Sequence, residues 1–145
     1  MERELNQNIL LQVGVKILLK DKNGKFLLLH RSGEKYPDVA GRWDIPGGRI
    51  EPGISLMENL KREVKEETNL ELIGEPKLLA AQDILRVIGR HIVRLTYVGE
   101  AVGDVKLDRI ENDGYEWRSL SDLKVTEDLD VYLKEIIENT HSSIL

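Results

Sequence analysis

The sequence contains no cysteine and only three scattered histidines, so neither a disulfide framework nor a zinc site built on thiolates and imidazoles is expected. It has no apolar run near the roughly 20 residues that a bilayer-spanning helix needs. Its opening stretch, MERELNQN, is polar and acidic, unlike a signal or transit peptide. A cytoplasmic location is therefore the expectation, which the lack of cysteine suits. Positive charge is not in excess either: 21 Lys and Arg against 26 Asp and Glu give a formal charge of −5, which disfavours a broad nucleic-acid surface. A small phosphorylated substrate is compatible with that balance if metal ions and local arginines offset the negative field. No repeat, low-complexity tract or second domain is visible, and 145 residues with 41% hydrophobic content suit one domain over residues 1–145.

Against these absences stands the stretch from Trp43 to Leu70, where a glycine-rich segment feeds a helix rich in carboxylates. Glu63, Glu66 and Glu67 stand at i, i+3 and i+4, so they project from one side of a helix as neighbours. Like charges at that spacing repel by roughly 0.2–0.5 kcal/mol per pair when exposed, and by more when desolvated. A cation would relieve the repulsion. An oxygen-only set suits Mg²⁺, with Mn²⁺ as a substitute, better than zinc. Ser55 and Glu58 form an S-x-x-E capping box, so the helix is expected to start at Leu56, with Leu56, Met57, Leu60 and Val64 as its apolar stripe. Glu63 and Glu67 fall at the edge of that stripe and should be semi-buried. Arg62 can reach Glu58 or Glu66, and Asn69 is placed to end the helix in the left-handed conformation.

Around this centre, alternating Leu11, Val13, Val15, Ile17 and Leu19 predict a strand over 9–19 with one buried face, followed by a turn at Asp21–Gly24 and a central strand over Phe26–Arg31. Arg31 is either a solvated strand end or a phosphate contact. Ser32–Arg42 reads as a loop, Trp43–Ile45 as a short strand and Pro46-Gly47-Gly48 as a tight turn. Strands are expected over 71–84, interrupted at Pro76, over 89–102 and over 115–120. Arg90 and Arg94, on one face of the second, are expected in solvent. Thr126 is expected to cap a last helix buried through Leu129, Leu133, Ile136 and Ile137, with a frayed THSSIL tail. Asp128 and Asp130 offer either a capping charge or a contact to a base edge.

These residues resemble the Nudix hydrolases, whose box runs G-x5-E-x7-R-E-U-x-E-E-x-G-U, with U aliphatic. Gly48, Arg62, Glu63, Val64, Glu66, Glu67 and Leu70 fall on its specified positions, while Ile54 and Asn69 depart from it. The W-x-I-P-G-G lead-in at Trp43–Gly48 and the acidic-Trp stretch over Glu116–Leu123 are similar to the family as well. The resemblance implies an α+β Nudix fold, an α/β/α sandwich with a mixed β-sheet between helices. It also implies hydrolysis of a nucleoside diphosphate linked to another group, leaning to (d)NTP or oxidised (d)NTP as in MutT-like members. ADP-ribose or nucleotide-sugar hydrolysis, and a catalytically weakened nucleotide-binding domain, are the alternatives. Gly48, Glu63, Glu66 and Glu67 would hold Mg²⁺, and Arg62 would support them. Glu111, Glu116 or one of the box glutamates would serve as base, and Arg31, Arg42 and Asp128 would contact substrate. Ile54 replaces a glutamate that usually supports the site, with Glu51 as a substitute. The expected partner is a small nucleotide, with no membrane; a homodimer is compatible with this chain.

Overall fold

The computed structural model describes residues 8–145, and residues 1–7 of the polar opening stretch lie outside them. Among the described residues seven strands form one mixed sheet: β1 (Leu10–Lys20), β2 (Phe26–Arg31), β3 (Trp43–Asp44), β4 (Gly47–Arg49), β5 (Glu71–Ile84), β6 (Arg90–Val102) and β7 (Asn112–Arg118). The order is β3-β2-β1-β6-β5, with β4 added to β1 and β7 to β2. β1 and β6 pair in parallel from Leu10↔Arg90 to Lys20↔Glu100. On its other edge β1 is shared antiparallel between β2, at Lys20↔Phe26, and β4, at Gly14–Lys16. Sharing one edge between two strands parts the sheet there, and a cleft lined by Gly14, Lys16, Leu29 and Gly47 opens at that point.

Both faces of the sheet are covered, because β1 and β2 carry apolar residues on both. Val15, Ile17, Leu19, Leu27 and Leu29 pack with Leu60 and Val64 of helix α1 (Leu56–Thr68). Leu18, Phe26 and Leu28 face the other way, onto Leu123 of α2 (Leu120–Lys124) and Leu133 and Ile137 of α3 (Val131–Asn139). The result is the expected α/β/α sandwich. Full burial of side chains of this size contributes roughly 1.5–3 kcal/mol each, which makes the two clusters the main source of stability. Among the described residues no helix is long and apolar enough to cross a membrane.

Local chemistry explains where the structure departs from the sequence expectation. Gly47 and Gly48 lie in strand β4 rather than in a turn. Gly47 has φ 137°, and a Cβ there would stand 2.0 Å from the Val15 carbonyl oxygen, so only glycine lets this strand lie against β1. The last helix is capped by Asp130, whose Oδ2 accepts the N–H groups of Tyr132 and Leu133 at 3.1 Å. Thr126 instead closes α2 by donating to the Asp122 carbonyl at 2.7 Å. Leu129 precedes the helix and bridges to Trp43. β7 starts at Asn112, three residues before the expected Tyr115, because β2 offers it pairing partners up to Arg31. The outer part of β1 extends beyond the core and leaves Leu11 exposed, and Leu56 is also outside the buried stripe. The tail forms a single 3-10 turn over Ser142–Ile144. Pro76 interrupts pairing without ending β5, through a register shift between Ile73 and Lys77.

Candidate functional site

Helix α1 begins and ends as its sequence dictates. The Ser55 hydroxyl accepts the Glu58 N–H at 3.1 Å, and Asn69, at φ 65°, donates its N–H to the Lys65 carbonyl at 2.9 Å. Leu60 and Val64 fix the rotation of the helix by facing the core, which turns Glu63 and Glu67 toward β4. The Gly47 N–H donates to Glu67 Oε2 at 3.2 Å. A Cβ at Gly48 would meet Glu63 Oε2 at 2.8 Å, so this glycine makes room for the carboxylate. Glu66 points outward and stays 59% exposed, whereas the Glu63 side chain is 14% exposed.

Burial sets the electrostatics of this pair. It pushes the Glu67 carboxyl up to about 7, with the charges of Glu63 and Asp44 adding and the Lys16 ammonium and Gly47 N–H opposing. Glu63 is raised for the same reason, with Glu66 adding and Arg62 opposing. Arg62 binds this acidic edge: Nη2 donates to Asn59 Oδ1 at 2.8 Å, and Nη1 lies 3.2 Å from Glu63, 3.5 Å from Glu66 and 3.9 Å from Glu51. Among the described residues no three acidic or histidine side chains already converge as a finished metal centre. The donors that do converge, Glu63 and Glu67 against the glycine strand, are all oxygen, and they carry excess negative charge.

Beside them a cleft of about 600 Å³ is lined from β1, β2, β4, α1 and the end of the β5–β6 hairpin. Its charged floor centres on Asp44, whose carboxylate is reached by Lys16 Nζ at 3.3 Å, Arg31 Nη2 at 3.0 Å and Arg94 Nη2 at 3.0 Å. Arg94 also pairs with Asp130 at 3.2 Å. Burial opposes ionisation of Asp44, but Lys16, Arg94 and Arg31 hold its carboxyl well below the usual range. Three cations against two carboxylates leave this floor positive, beside the negative edge of α1.

The sequence-stated residues divide between cleft and scaffold. Gly48, Glu63, Glu67, Arg31 and Glu111 line the cleft. Glu111 bonds to Lys35 and accepts the Tyr36 hydroxyl at 2.6 Å; burial opposes, but these bonds hold its carboxyl below the usual range. Arg42 lies outside the lining and braces the loop, donating to the carbonyls of Arg31 at 3.3 Å and Pro37 at 3.0 Å. Asp128 is also outside it, accepting the Gly41 N–H at 2.7 Å, and Glu116 pairs with Arg118. Arg94, expected in solvent, is 4% exposed. Its face-mates Ile92 and Thr96 are buried too, and that apolar setting was the available signal. Spacing and local pattern do not mark Lys16, Asp44, Arg94 or Asn59 as site residues.

A family model described as the NUDIX domain matches residues 10–139. The chain belongs to the Nudix family. The fold is that of Nudix structures: a MutT protein from Methanosarcina mazei superposes with a TM-score of 0.75 and 30% identity, covering 90% of this chain and 92% of that one. The CTP pyrophosphohydrolase of Escherichia coli is 39% identical over 56 residues, 38% of this chain and 40% of that protein. The human 8-oxo-dGDP phosphatase NUDT18 is 37% identical over 72 residues, 50% of this chain and 21% of that protein. The alignments thus span less than half the length of these two curated relatives. Nudix hydrolases generally use divalent metals, and the oxygen-only donor set on α1 fits one. Within the Nudix box, Asn69 serves as the helix cap and Ile54 presents no carboxylate.

Proposed function

We propose that this chain is a metal-dependent hydrolase that cleaves a phosphoric anhydride bond in a nucleoside diphosphate linked to another group, with (d)NTP or oxidised (d)NTP as the preferred substrate. The observation that carries this reading is the meeting of two opposite fields in one cleft: the Glu63–Glu67 edge against Gly48, and the positive floor of Lys16, Arg31 and Arg94. Glu63, Glu66, Glu67 and the Gly48 carbonyl would hold Mg²⁺, or Mn²⁺ in its place. When bound, the ion neutralises charge on phosphate oxygens and acidifies water.

This chain's own residues supply the rest. Lys16 and Arg31 attract the phosphate chain, and Arg62 holds Glu63 and Glu66 at the metal edge. Glu111, across the cleft and kept ionised by Lys35 and Tyr36, is the acceptor for the proton of the attacking water. The cleft volume, about 600 Å³, lies within the roughly 300–1,000 Å³ typical of small-ligand sites. The relatives named for CTP and 8-oxo-dGDP support a nucleotide substrate, and the proposed location is cytoplasmic. A panel of (d)NTPs, 8-oxo-dGTP, ADP-ribose, nucleotide sugars and dinucleoside polyphosphates with Mg²⁺ tests the reading. Triphosphates are expected to turn over fastest. ADP-ribose cleaved far faster than any triphosphate would move the assignment to the second substrate class.

A further inference from the structure

Asn59 is fully buried in the middle of the helix turn that precedes the glutamates. Such a placement is costly, since asparagine is a poor helix former and a buried amide needs partners. Here it finds four. Oδ1 accepts the Glu51 N–H at 2.9 Å and Arg62 Nη2 at 2.8 Å, while Nδ2 donates to the carbonyls of Ile54 at 3.0 Å and Ser55 at 2.8 Å. The reverse amide orientation would set NH₂ against two donors, so the chemistry fixes which way the group faces. For Arg62 the Asn59 bond is the short one. Its contacts to Glu63, Glu66 and Glu51 are 3.2, 3.5 and 3.9 Å, and its buried Nε has no partner among the described residues. Asn59 thus makes the shortest polar contact to the Arg62 guanidinium, on the nitrogen that none of the three carboxylates reaches.

We propose that Asn59 is a positioning residue that orients Arg62, and through it Glu63 and Glu66, in the role left open by Ile54. The inference rests on the hydrolase reading for its kinetic consequence, though not for its geometry. Ile54 turns its side chain out to 37% exposure; its carbonyl accepts from Asn59 and its N–H donates to the Glu51 carbonyl at 3.3 Å, so its side chain offers Arg62 no acceptor. Glu51, the other candidate for the role, is 59% exposed and 3.9 Å from Arg62, too far for a hydrogen bond. Asn59 is well placed because one oxygen serves both the loop, through Glu51 N–H, and the arginine.

Two substitutions separate positioning from mere stapling of the loop. Asn59→Asp keeps the oxygen acceptor for Arg62 and loses the donor to Ile54 and Ser55, while Asn59→Ala loses both. The readouts are kcat and KM with Mg²⁺ and the best nucleotide, Mn²⁺ affinity by electron paramagnetic resonance, and the thermal unfolding midpoint. Asn59→Ala is expected to lower kcat and Mn²⁺ affinity about tenfold, as loss of a supporting contact around a metal site does, with KM within about twofold. Asn59→Asp is expected to hold both within about threefold of wild type while unfolding earlier. Ile54→Glu alone is expected to change kcat by less than about twofold, and to restore most of the loss in the Asn59→Ala background.

Equal impairment in Asn59→Asp and Asn59→Ala would overturn the proposal, as would unchanged kcat and Mn²⁺ affinity in folded Asn59→Ala. If Asn59→Ala does not fold, Asn59→Asp decides: retained kcat and Mn²⁺ affinity support the proposal, and their loss overturns it. Wild-type protein that hydrolyses no nucleotide would refute the hydrolase reading instead, and the Mn²⁺ affinities would then decide the role of Asn59 alone.

Discussion

Glu67→Gln should stabilise the metal-free protein, and by an amount that depends on pH. Burial raises the Glu67 carboxyl from its ordinary 4.5 to about 7. The folded protein therefore keeps this proton after the unfolded chain has lost it, and stability falls as pH rises from 4.5 through about 7. At about 1.4 kcal/mol per unit, the full penalty above that window is about 3 kcal/mol. Glutamine removes the charge and keeps an oxygen for the Gly47 N–H, now 3.2 Å from Glu67 Oε2. For a chain of this size about 3 kcal/mol corresponds to roughly 10 °C in the unfolding midpoint as an upper figure. Scanning calorimetry in EDTA at pH 8.5 should show the variant melting higher by several degrees. At pH 4.5, where Glu67 is largely protonated in the folded wild type, the gap should nearly close. Mg²⁺ should stabilise wild type more than the variant at pH 8.5. An equal midpoint at pH 8.5, or a gap of the same size at both pH values, would refute the view that a buried, cation-seeking charge sits at this position.

Arg94→Met is expected to cost about 3–5 kcal/mol in urea unfolding, because it strands the buried carboxylates of Asp44 and Asp130; a loss under about 1 kcal/mol would mean that Lys16 and Arg31 alone satisfy Asp44. Since the Asp44 carboxyl is held below its unfolded value, its contribution is complete above the ordinary value of 3.8 and is lost as pH falls through the folded one, so wild type should lose stability on acidification. Glu111→Gln should lower kcat about 10²-fold with KM little changed if Glu111 accepts the proton. A change confined to KM would make it a latch for the Tyr36 loop, through the 2.6 Å bond it accepts from that hydroxyl.

The parts of the molecule that depend on near neighbours were legible in the sequence. The Ser55 box, the Asn69 cap and the placement of Glu63 and Glu67 at the edge of a buried stripe all follow from spacing within one helix. β2 follows from an apolar run and β1 from alternation, although alternation gives β1 one buried face and Leu18 buries the other as well. What depends on distant partners was not legible. Arg94 looks like an exposed strand residue until Asp44, 50 positions away, and Asp130 are brought beside it. Gly47 reads as a turn until β1 supplies the strand it must lie against. Asn59 interrupts an apolar helix face, and nothing local indicates that its amide closes four hydrogen bonds with the loop and Arg62. Thr126 and Asp130 are both good caps by residue type, and only the packing of α3 on the sheet selects between them.

On the proposed reading, the Glu63–Glu67 edge of α1 carries divalent-ion-dependent nucleotide hydrolysis. Phosphate or pyrophosphate release from the best triphosphate of the panel, by wild type and by Glu63→Gln and Glu67→Gln, with and without Mg²⁺, decides it. Wild type should be active only with the ion, and each variant should lose at least about 10²-fold in kcat. Turnover that persists in EDTA, or that survives both substitutions, would place the chemistry elsewhere than on this edge.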